Sequence, residues 1–389
     1  MDYNKLLADN ITAIKPSGIR RFFSLANEME GVISLGVGEP DFKTPWPVRK
    51  AGIKTLEAGR TWYTANAGLD ELKVEISKYL KRRFDLEYQT DELFVTVGGS
   101  EAIDMCIRSL VNPGDEVMVV QPSFVCYGPI AKMCHAKVVE LNTSAENGFA
   151  LTPEILKAAI TPKTKLLVLP FPSNPTGGVM TKEQLEAIAE VLRGTDIIVL
   201  SDEIYAELNY TGERHYSIAN IPDMKERTIV VNGFSKAYAM TGWRLGYACG
   251  PKPIIDQMLK LHQFAIMCAP TMSQFAAVTA MRECDEAIMA MRDEYNMRRR
   301  MLVSRLNAMG LTCFEPLGAF YVFPSIKSTG LSSEDFCEKL LYSKKVAVIP
   351  GNAFGDCGEG HVRMCYAYSM EHLTKALDRM EEFLQELKN

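Results

Sequence analysis

Short apolar runs alternate with amphipathic segments through the middle of the chain. The runs are rich in β-branched and aliphatic residues and are bounded by polar or turn residues, as buried strands are. They are Leu93–Val97, Glu116–Val120, Lys165–Leu169, Asp196–Leu200 and Thr228–Val231. Strands that are apolar on both faces and alternate with helices are typical of a mostly parallel sheet covered by helices. The pattern therefore predicts a three-layer α/β large domain, from about residue 46 to residue 285.

Two segments between these runs have the period of an amphipathic helix. A helix that starts at about Ser100 would place four apolar side chains on one face at i, i+3, i+4 and i+7 spacing. These side chains are Ile103, Cys106, Ile107 and Leu110. The segment Lys182–Leu192 repeats the pattern between two predicted strands. Both segments are predicted to cover the sheet.

The last third of the chain has a different pattern. A charged helical segment at about Asp285–Met309 precedes an aromatic strand candidate, Gly318–Pro324, and then mixed helix and strand patterns. The final helix is predicted to carry Leu377, Met380, Leu384 and Leu387 on one stripe. These elements predict a smaller α+β domain that combines residues 1–45 with residues 286–389.

Composition and charge narrow the class of protein. Of the 389 residues, 47% are hydrophobic and 23% charged, which is typical of globular proteins, and the net charge of −5 favours neither nucleic acid nor an anionic membrane as a partner. No apolar run is long enough to span a bilayer, and polar residues interrupt Met1–Lys15, where a secretory signal would need an apolar stretch. The ten cysteines form no C-x-x-C pair, which favours small buried side chains in a reducing compartment. The five histidines lack metal-ligand spacing. We therefore expect a cytoplasmic protein without a metal site.

Polar residues follow several of the predicted strands, directly after each strand ends. Ligands bind at the carboxyl ends of strands in open α/β sheets, so these side chains are expected to converge. A first group would hold a phosphate. It comprises the backbone N–H groups of Gly99, Ser100 and Glu101 at a helix start, the hydroxyl of Ser235 and the guanidinium of Arg244.

A second group at the same strand ends suits the rest of one cofactor, pyridoxal phosphate. Lys236 would form a Schiff base with its aldehyde, and Asp202 would face its protonated ring nitrogen. Asn174 and Tyr205 would donate hydrogen bonds to its phenolate oxygen. The sequence therefore predicts a pyridoxal phosphate site in which Lys236, Asp202 and Tyr205 are the catalytic residues.

Several stretches resemble the fold-type-I aminotransferases of class I/II. They occur in the order of the family's motifs: Ser34–Phe42, Tyr63–Leu69, Pro172–Gly177, Ser201–Tyr205 and Ser235–Arg244. The resemblance extends from about Ser17 to the last helix, and bacterial aspartate, aromatic and acetyl-diaminopimelate aminotransferases are the most similar groups. It implies the fold-type-I architecture and the ping-pong transfer of an amino group from an L-amino acid to a 2-oxo acid.

The resemblance also implies roles that strand ends alone do not give. Phe124 matches the aromatic residue that stacks on the cofactor ring, and Tyr63 matches a residue that reaches the phosphate of the neighbouring subunit, which implies a homodimer. Arg363 matches the arginine that binds the substrate α-carboxylate, with Gly38 and Asn174 beside it. The peptide bond before Pro175 is expected to be cis.

Two other functions stay open at this point. A lyase on the same fold, such as a β C–S lyase, needs the same cofactor residues, so the sequence does not separate it from a transaminase. A non-catalytic ligand-binding module is a third hypothesis, which the intact set of cofactor residues disfavours.

Substrate choice is expected to depend on residues 15–23, 100–109 and 265–272. No second arginine in the sequence indicates a dicarboxylic substrate. Glutamate with 2-oxoglutarate as the substrate pair is implied by the resemblance only. The pairs Phe22–Phe23 and Phe320–Tyr321 are assigned to the core. Substrate contact by Ile19 or Tyr321 is a secondary hypothesis.

Overall fold

The computed structural model describes residues 1, 3–15, 18, 22 and 29–388. In chain order its strands are β1 Ile33–Ser34, β2 Leu93–Thr96, β3 Glu116–Gln121, β4 Lys137–Asn142, β5 Thr164–Leu169, β6 Ile198–Asp202, β7 Thr228–Gly233, β8 Gly246–Cys249, β9 Tyr321–Val322, β10 Val346–Ala347, β11 Ile349–Pro350 and β12 Val362–Cys365. Its α-helices are α1 Asp9–Thr12, α2 Trp46–Glu57, α3 Asp70–Phe84, α4 Gly99–Leu110, α5 Tyr127–Met133, α6 Pro153–Ala159, α7 Lys182–Leu192, α8 Lys252–Ala265, α9 Thr271–Glu283, α10 Asp285–Ala308, α11 Ser333–Lys344 and α12 Met370–Glu386.

Strands β2 to β8 form one seven-stranded sheet in the order β2-β8-β7-β6-β5-β3-β4. Neighbouring strands are parallel except for β8, which is antiparallel to both β2 and β7. Every residue of β3 and of β7 is buried, as the continuous apolar runs predicted. The expected α/β class with a mostly parallel sheet is therefore confirmed.

Helices cover both faces of this sheet, and alternate residues of one strand enter different cores. Val117 and Val119 of β3 pack in a cluster with residues of α4 and α8, whereas Met118 and Val120 pack in a cluster with residues of α7. This alternation is the two-residue period of a strand. It produces the three layers expected from the sequence.

The predicted elements differ from the observed ones in a few places. Strands β4 and β8 were not predicted, because β4 is an edge strand with one buried residue, Leu141, and β8 is built largely of small residues. Of the candidate strand Gly318–Pro324, only Tyr321–Val322 forms a strand, and Gly318 makes an isolated bridge with Asn209. Leu387 was wrongly placed on the apolar stripe of the last helix, since α12 ends at Glu386 and Leu387 is 38% exposed.

The C-terminal part is built around smaller sheets. Strands β11, β12 and β9 form a three-stranded antiparallel sheet, and β1 pairs in parallel with β10. Apolar residues of α10, α11 and α12 pack in the core beside them. Because β1 joins β10, the segment from residue 29 packs with the C-terminal part. We propose that these parts form the small domain, with the boundaries at residues 46 and 285 predicted above.

The part of the chain that the structure describes contains no helix that is both long and apolar enough to cross a bilayer. Among the same residues, no three His, Cys, Asp or Glu side chains lie together as ligands for a metal ion.

Candidate active site

A cavity of about 410 Å³ opens at the carboxyl edge of the seven-stranded sheet. Most of the residues singled out from the sequence line it together: Gly38, Gly99, Ser100, Phe124, Asn174, Asp202, Tyr205, Ser235, Lys236, Arg244 and Arg363. Asp202 is the last residue of β6, and Lys236 follows the end of β7. The convergence of strand ends that the sequence predicted is thus present in the fold.

Lys236 lines this cavity and is held by a hydrogen bond. Its Nζ donates a hydrogen bond to the carbonyl oxygen of Gly38 at 2.7 Å. The same nitrogen lies 5.9 Å from the ring centre of Tyr205 and 5.6 Å from that of Phe320. Burial lowers the pKa of Lys236 to about 8, because the charged amine loses its water. A neutral amine is therefore more accessible here than on a surface lysine.

Asp202 is buried and held on both carboxylate oxygens. Its Oδ2 accepts a hydrogen bond of 2.6 Å from the Tyr127 hydroxyl, and its Oδ1 accepts one of 3.2 Å from the backbone N–H of Ile204. Burial raises the pKa of Asp202, while the bond from Tyr127 opposes that rise. Tyr127 was missed by the sequence analysis, because it lies in α5 rather than directly after a strand.

The start of α4 and the side chain of Arg244 lie side by side. A Cβ on Gly98 would be 2.7 Å from Nη2 of Arg244, so glycine permits this approach, and Gly98 also has a φ of +76°. Gly99 and Ser100 follow in the first turn of α4, and Ser235 lines the same cavity. A helix N-terminus, a guanidinium and a hydroxyl together make an anion site.

Glu101 was predicted to contribute its backbone N–H, and its side chain is not among the residues that line the cavity. Its carboxylate accepts a hydrogen bond from the backbone N–H of Val97 and lies 2.6 Å from Nδ1 of His262, which is fully buried on α8. The Glu101 carboxylate therefore ties the start of α4 to the preceding strand end and to α8.

Arg363 projects from β12 into the opposite side of the cavity and is only 3% exposed. Its Nη1 donates to Oδ1 of Asn174 at 2.9 Å, and its Nη2 donates to the carbonyl oxygen of Gly36 at 2.5 Å. Its Nε is buried and has no hydrogen-bond partner among the described groups. A buried guanidinium with an unused N–H is suited to bind a carboxylate.

Tyr321 connects the two sides of the cavity. Its hydroxyl lies 2.9 Å from the hydroxyl of Tyr205, and its ring lies 4.6 Å from the guanidinium carbon of Arg363. The sequence analysis assigned Tyr321 to the core, and it is indeed 1% exposed, but it also lines the cavity. The sequence offered a contact of Tyr321 with the site only as a secondary hypothesis, because the position of this side chain depends on how β9 pairs with β12.

Tyr63 lies outside the cavity of the single chain and is 76% exposed. Trp62 and Phe264 are other large side chains that are exposed in the single chain. The segment of Trp62 contacts the start of α9, since the hydroxyl of Thr271 donates to the carbonyl oxygen of Trp62 at 2.6 Å.

The segments expected to set substrate choice are only partly represented at the cavity. Ile103, from residues 100–109, lines it, but residues 265–272 do not. Ile19 and Phe23 lie outside the described residues. The peptide bond between Asn174 and Pro175 is cis, as expected, and so are those before Pro122 and Pro172.

Comparisons with known proteins agree on one family. The family model for aminotransferase class I and II matches residues 30–380. The chain is 55% identical over 379 residues to the aminotransferase-family protein YugH of Bacillus subtilis, covering 97% of this chain and 98% of that one. It is 45% identical to the aspartate aminotransferase of Pyrococcus abyssi, over 98% of this chain and 99% of that one.

A solved structure of an aminotransferase has the same fold as this chain. The aromatic aminotransferase from Pyrococcus horikoshii superposes with a TM-score of 0.90 at 43% identity, over 94% of this chain and 99% of that one. The fold, the converging strand ends and the full-length matches lead to one conclusion: the chain belongs to the class I and II aminotransferases.

Proposed function

We propose that the cavity holds pyridoxal phosphate on Lys236 and transfers the amino group of an L-amino acid whose α-carboxylate binds Arg363. Transamination with pyridoxal phosphate is the activity of this family, and the chain is a transaminase. The observation that carries the assignment of residues is that Lys236 lines the same cavity as the buried carboxylate of Asp202 and the buried guanidinium of Arg363.

The anion site fits the phosphate of this cofactor. The N–H groups of Gly99 and Ser100, the hydroxyl of Ser235 and the guanidinium of Arg244 offer charge-assisted hydrogen bonds from several directions. Glu101 contributes at most its backbone, since its carboxylate is engaged with Val97 and His262.

The other side of the site fits the ring. Asp202 supplies a carboxylate to the ring nitrogen, and Tyr127 favours the charged form of that carboxylate. Phe124 offers an aromatic face, while Asn174 and Tyr205 offer hydrogen bonds to the phenolate oxygen. Bound pyridoxal phosphate supplies an electron-withdrawing ring that stabilises negative charge on the substrate's α-carbon.

Lys236 has two roles in this proposal. Its amine links the cofactor covalently, and a pKa of about 8 leaves more of it neutral, and hence nucleophilic, than the ordinary value of 10.5 would. When a substrate amino group takes its place, the released amine can remove and return the proton at the substrate's α-carbon. The bond from Nζ to the Gly38 carbonyl holds the amine beside the cavity.

Arg363 orients the substrate. Two of its N–H groups are held by Asn174 and Gly36, so the guanidinium plane is fixed before a substrate arrives, and the unused Nε–H faces a buried environment. A bidentate carboxylate contact would fix the direction of the α-carbon relative to Lys236. The backbone of Gly38 lies beside the same position.

The substrate class is an L-amino acid with a 2-oxo acid as acceptor. Relatives of this chain are named for aspartate, for aromatic amino acids and for N-acetyl-LL-diaminopimelate, and glutamate with 2-oxoglutarate is our default pair by resemblance. The lyase alternative gains no better support, since the relatives are named aminotransferases.

We further propose a cytoplasmic homodimer. Tyr63 is exposed in the single chain although the family resemblance gives it a role at a phosphate, which a second subunit would explain. The neighbouring Trp62 is also exposed and would offer apolar area to that subunit. All ten cysteines are free, as expected in a reducing compartment.

The test is to trap the cofactor and find its attachment point. Purified protein loaded with pyridoxal phosphate is reduced with borohydride and digested, and mass spectrometry is expected to place the added mass on Lys236. Lys236→Ala should lose this adduct, whereas Lys375→Ala, an exposed lysine on α12, should keep it. Glutamate should bleach the visible band of the unreduced enzyme, and 2-oxoglutarate should restore it. An adduct on another lysine, or none, would overturn the assignment.

A further inference from the structure

We propose that Tyr321 is a positioning residue for transamination, which holds the hydroxyl of Tyr205 in its working orientation and couples it to Arg363. The inference rests on the proposed function, because it takes Tyr205 to be the donor to the phenolate oxygen of the cofactor. It adds a residue of the small three-stranded sheet to the cofactor side of the site.

The two phenols form a buried pair. Their hydroxyl oxygens lie 2.9 Å apart, and Tyr205 and Tyr321 are 5% and 1% exposed. The rings meet edge to face, with centres 5.9 Å apart and planes at 79°. A hydroxyl this deeply buried is costly without a partner, so each phenol favours the position of the other.

The direction of this hydrogen bond decides what Tyr205 can do. A hydroxyl has one proton to donate and can accept two bonds. If Tyr205 donated its proton to Tyr321, it would have none for the cofactor. If Tyr321 donates to Tyr205, the Tyr205 proton is free to point at the cofactor, and a chain of aligned hydrogen bonds makes it a stronger donor.

The position of Tyr321 is fixed from three sides. It lies opposite Cys365 in the β9–β12 pair. Arg363 precedes Cys365 by two residues on β12, so Tyr321 and Arg363 share a face of the sheet. Its ring lies 4.6 Å from the Arg363 guanidinium carbon, a cation–π contact. A Cβ on Gly38 would lie 2.1 Å from its hydroxyl oxygen, so only glycine leaves room for the phenol there.

This arrangement joins two ligand-binding functions through one side chain. Tyr321 touches the arginine proposed to bind the substrate, the tyrosine proposed to bind the cofactor, and the backbone of Gly38, whose carbonyl accepts the bond from Lys236. A shift of Arg363 on substrate binding would therefore reach Tyr205 through contacting atoms.

Tyr127 of α5 is one titratable group near the pair, and the others follow or belong to three strands. Arg363 and Cys365 lie on β12, Lys236 follows β7, and Asp202 ends β6. Burial raises the pKa of both Tyr205 and Tyr321, and Arg363 opposes the rise. Both phenols therefore keep their protons at neutral pH, as hydrogen-bond donors must.

The experiment is a double-mutant cycle with Tyr321→Phe, Tyr205→Phe and the double variant. The readout is the pH midpoint of the visible absorbance of resting enzyme with bound pyridoxal phosphate, which reports how well the site stabilises negative charge on the phenolate oxygen. Tyr205→Phe should raise this midpoint by about 1 pH unit, because a donor is lost. Tyr321→Phe should raise it by roughly 0.3 pH unit, and the double variant should equal Tyr205→Phe.

Tyr295→Phe is the matched control. Tyr295 is fully buried in the same core, and its hydroxyl has no partner among the described residues, so its loss should leave the midpoint unchanged. Thermal unfolding of the cofactor-free variants reports any purely structural effect, which would lower stability without moving the midpoint.

The outcomes distinguish a failure of the role proposed for Tyr321 from a failure of the proposed function. An unchanged midpoint in Tyr321→Phe, or shifts that add in the double variant, would overturn the role of Tyr321 and leave the proposed function intact. An unchanged midpoint in Tyr205→Phe would overturn the proposed role of Tyr205, and the inference with it. Absence of the covalent link to Lys236 in the trapping experiment is a separate result, which would overturn the proposed function and the inference that rests on it.

Discussion

The hydroxyl of Tyr127 donates a hydrogen bond of 2.6 Å to Oδ2 of Asp202, across 75 residues of sequence. Burial already raises the pKa of this carboxyl, and the bond from Tyr127 is the largest contribution that opposes the rise. The charged form of Asp202 therefore depends on a helix residue that carries no motif of its own.

Tyr127→Phe should lower kcat/KM by roughly 10-fold, the magnitude of one lost hydrogen bond to a charged group. The pKa of Asp202 should rise further, so the acid limb of the pH–rate profile should move to higher pH, because the required carboxylate protonates earlier as pH falls. Steady-state kinetics across pH provide the measurement. Tyr247→Phe, which removes another buried hydroxyl without a partner, should behave as wild type.

Lys236 should make the stability of the cofactor-free protein depend on pH. Its folded pKa of about 8 lies below the ordinary 10.5, so the unfolded chain binds more protons between these values and stability rises with pH there. Relative to Lys236→Met, wild type should gain about 3 kcal/mol across this window. Denaturant unfolding at pH values below 8 and above 10.5 measures the difference. A difference that stays constant with pH would contradict the lowered pKa, and Lys375→Met serves as the exposed control.

Gly38→Ala should distort the site without unfolding the protein. The added Cβ would lie 2.1 Å from the Tyr321 hydroxyl and 3.0 Å from its Cζ, so the phenol must move. Overpacking of this kind costs about 1–3 kcal/mol, and kcat/KM should fall by roughly 10- to 100-fold. Adding Tyr321→Phe should recover part of the loss, because the closest atom is removed. No recovery in the double variant would show that the clash lies elsewhere.

Arg363→Lys should separate substrate binding from cofactor binding. The lysine keeps the charge but not the planar fork that Asn174 and Gly36 hold in place, so KM for the amino acid should rise by roughly 10- to 100-fold. The dissociation constant of pyridoxal phosphate, measured by titration, should change little. Arg299→Lys is the control, since Arg299 is equally buried but bonds Glu315 outside the cavity. A matching loss of cofactor affinity would argue against the assignment.

A mixture of two inactive variants should recover activity if Tyr63 acts across a dimer interface. Dimers that combine a Lys236→Ala subunit with a Tyr63→Ala subunit would carry one doubly damaged site and one intact site. With random exchange, the mixture should reach about a quarter of wild-type activity. Differently tagged subunits establish that exchange has occurred. Exchange without recovery would mean that Tyr63 does not serve the neighbouring site.

The residues that directly follow predicted strands form the part of the candidate site that the sheet itself positions. Asn174, Asp202 and Lys236 follow apolar runs whose burial is readable in the sequence, and parallel strands bring their ends to one edge. Family resemblance, rather than any local pattern, supplied Arg363, because β12 belongs to another sheet.

Contacts between distant elements could not be predicted in this way. Tyr127 and Tyr321 are apolar-looking positions in a helix and a two-residue strand, and their partners lie 75 and 116 residues away. For Glu101, the backbone position at a helix start was predictable, but the contact of its carboxylate with His262 was not. Such choices depend on packing between elements, which a single sequence does not display.

The strand-end residues proposed to bind the cofactor and the arginine proposed to bind the substrate come from different sheets, each with its own core. Changes that reshape the surroundings of Arg363 on β12 can therefore accumulate while the strand ends that carry Asp202 and Lys236 stay as they are. The same cofactor-binding residues can in this way serve enzymes that act on different amino acids. Such a separation would explain the names of two relatives, which share 45% and 42% of this sequence. One is named for aspartate and the other for aromatic amino acids.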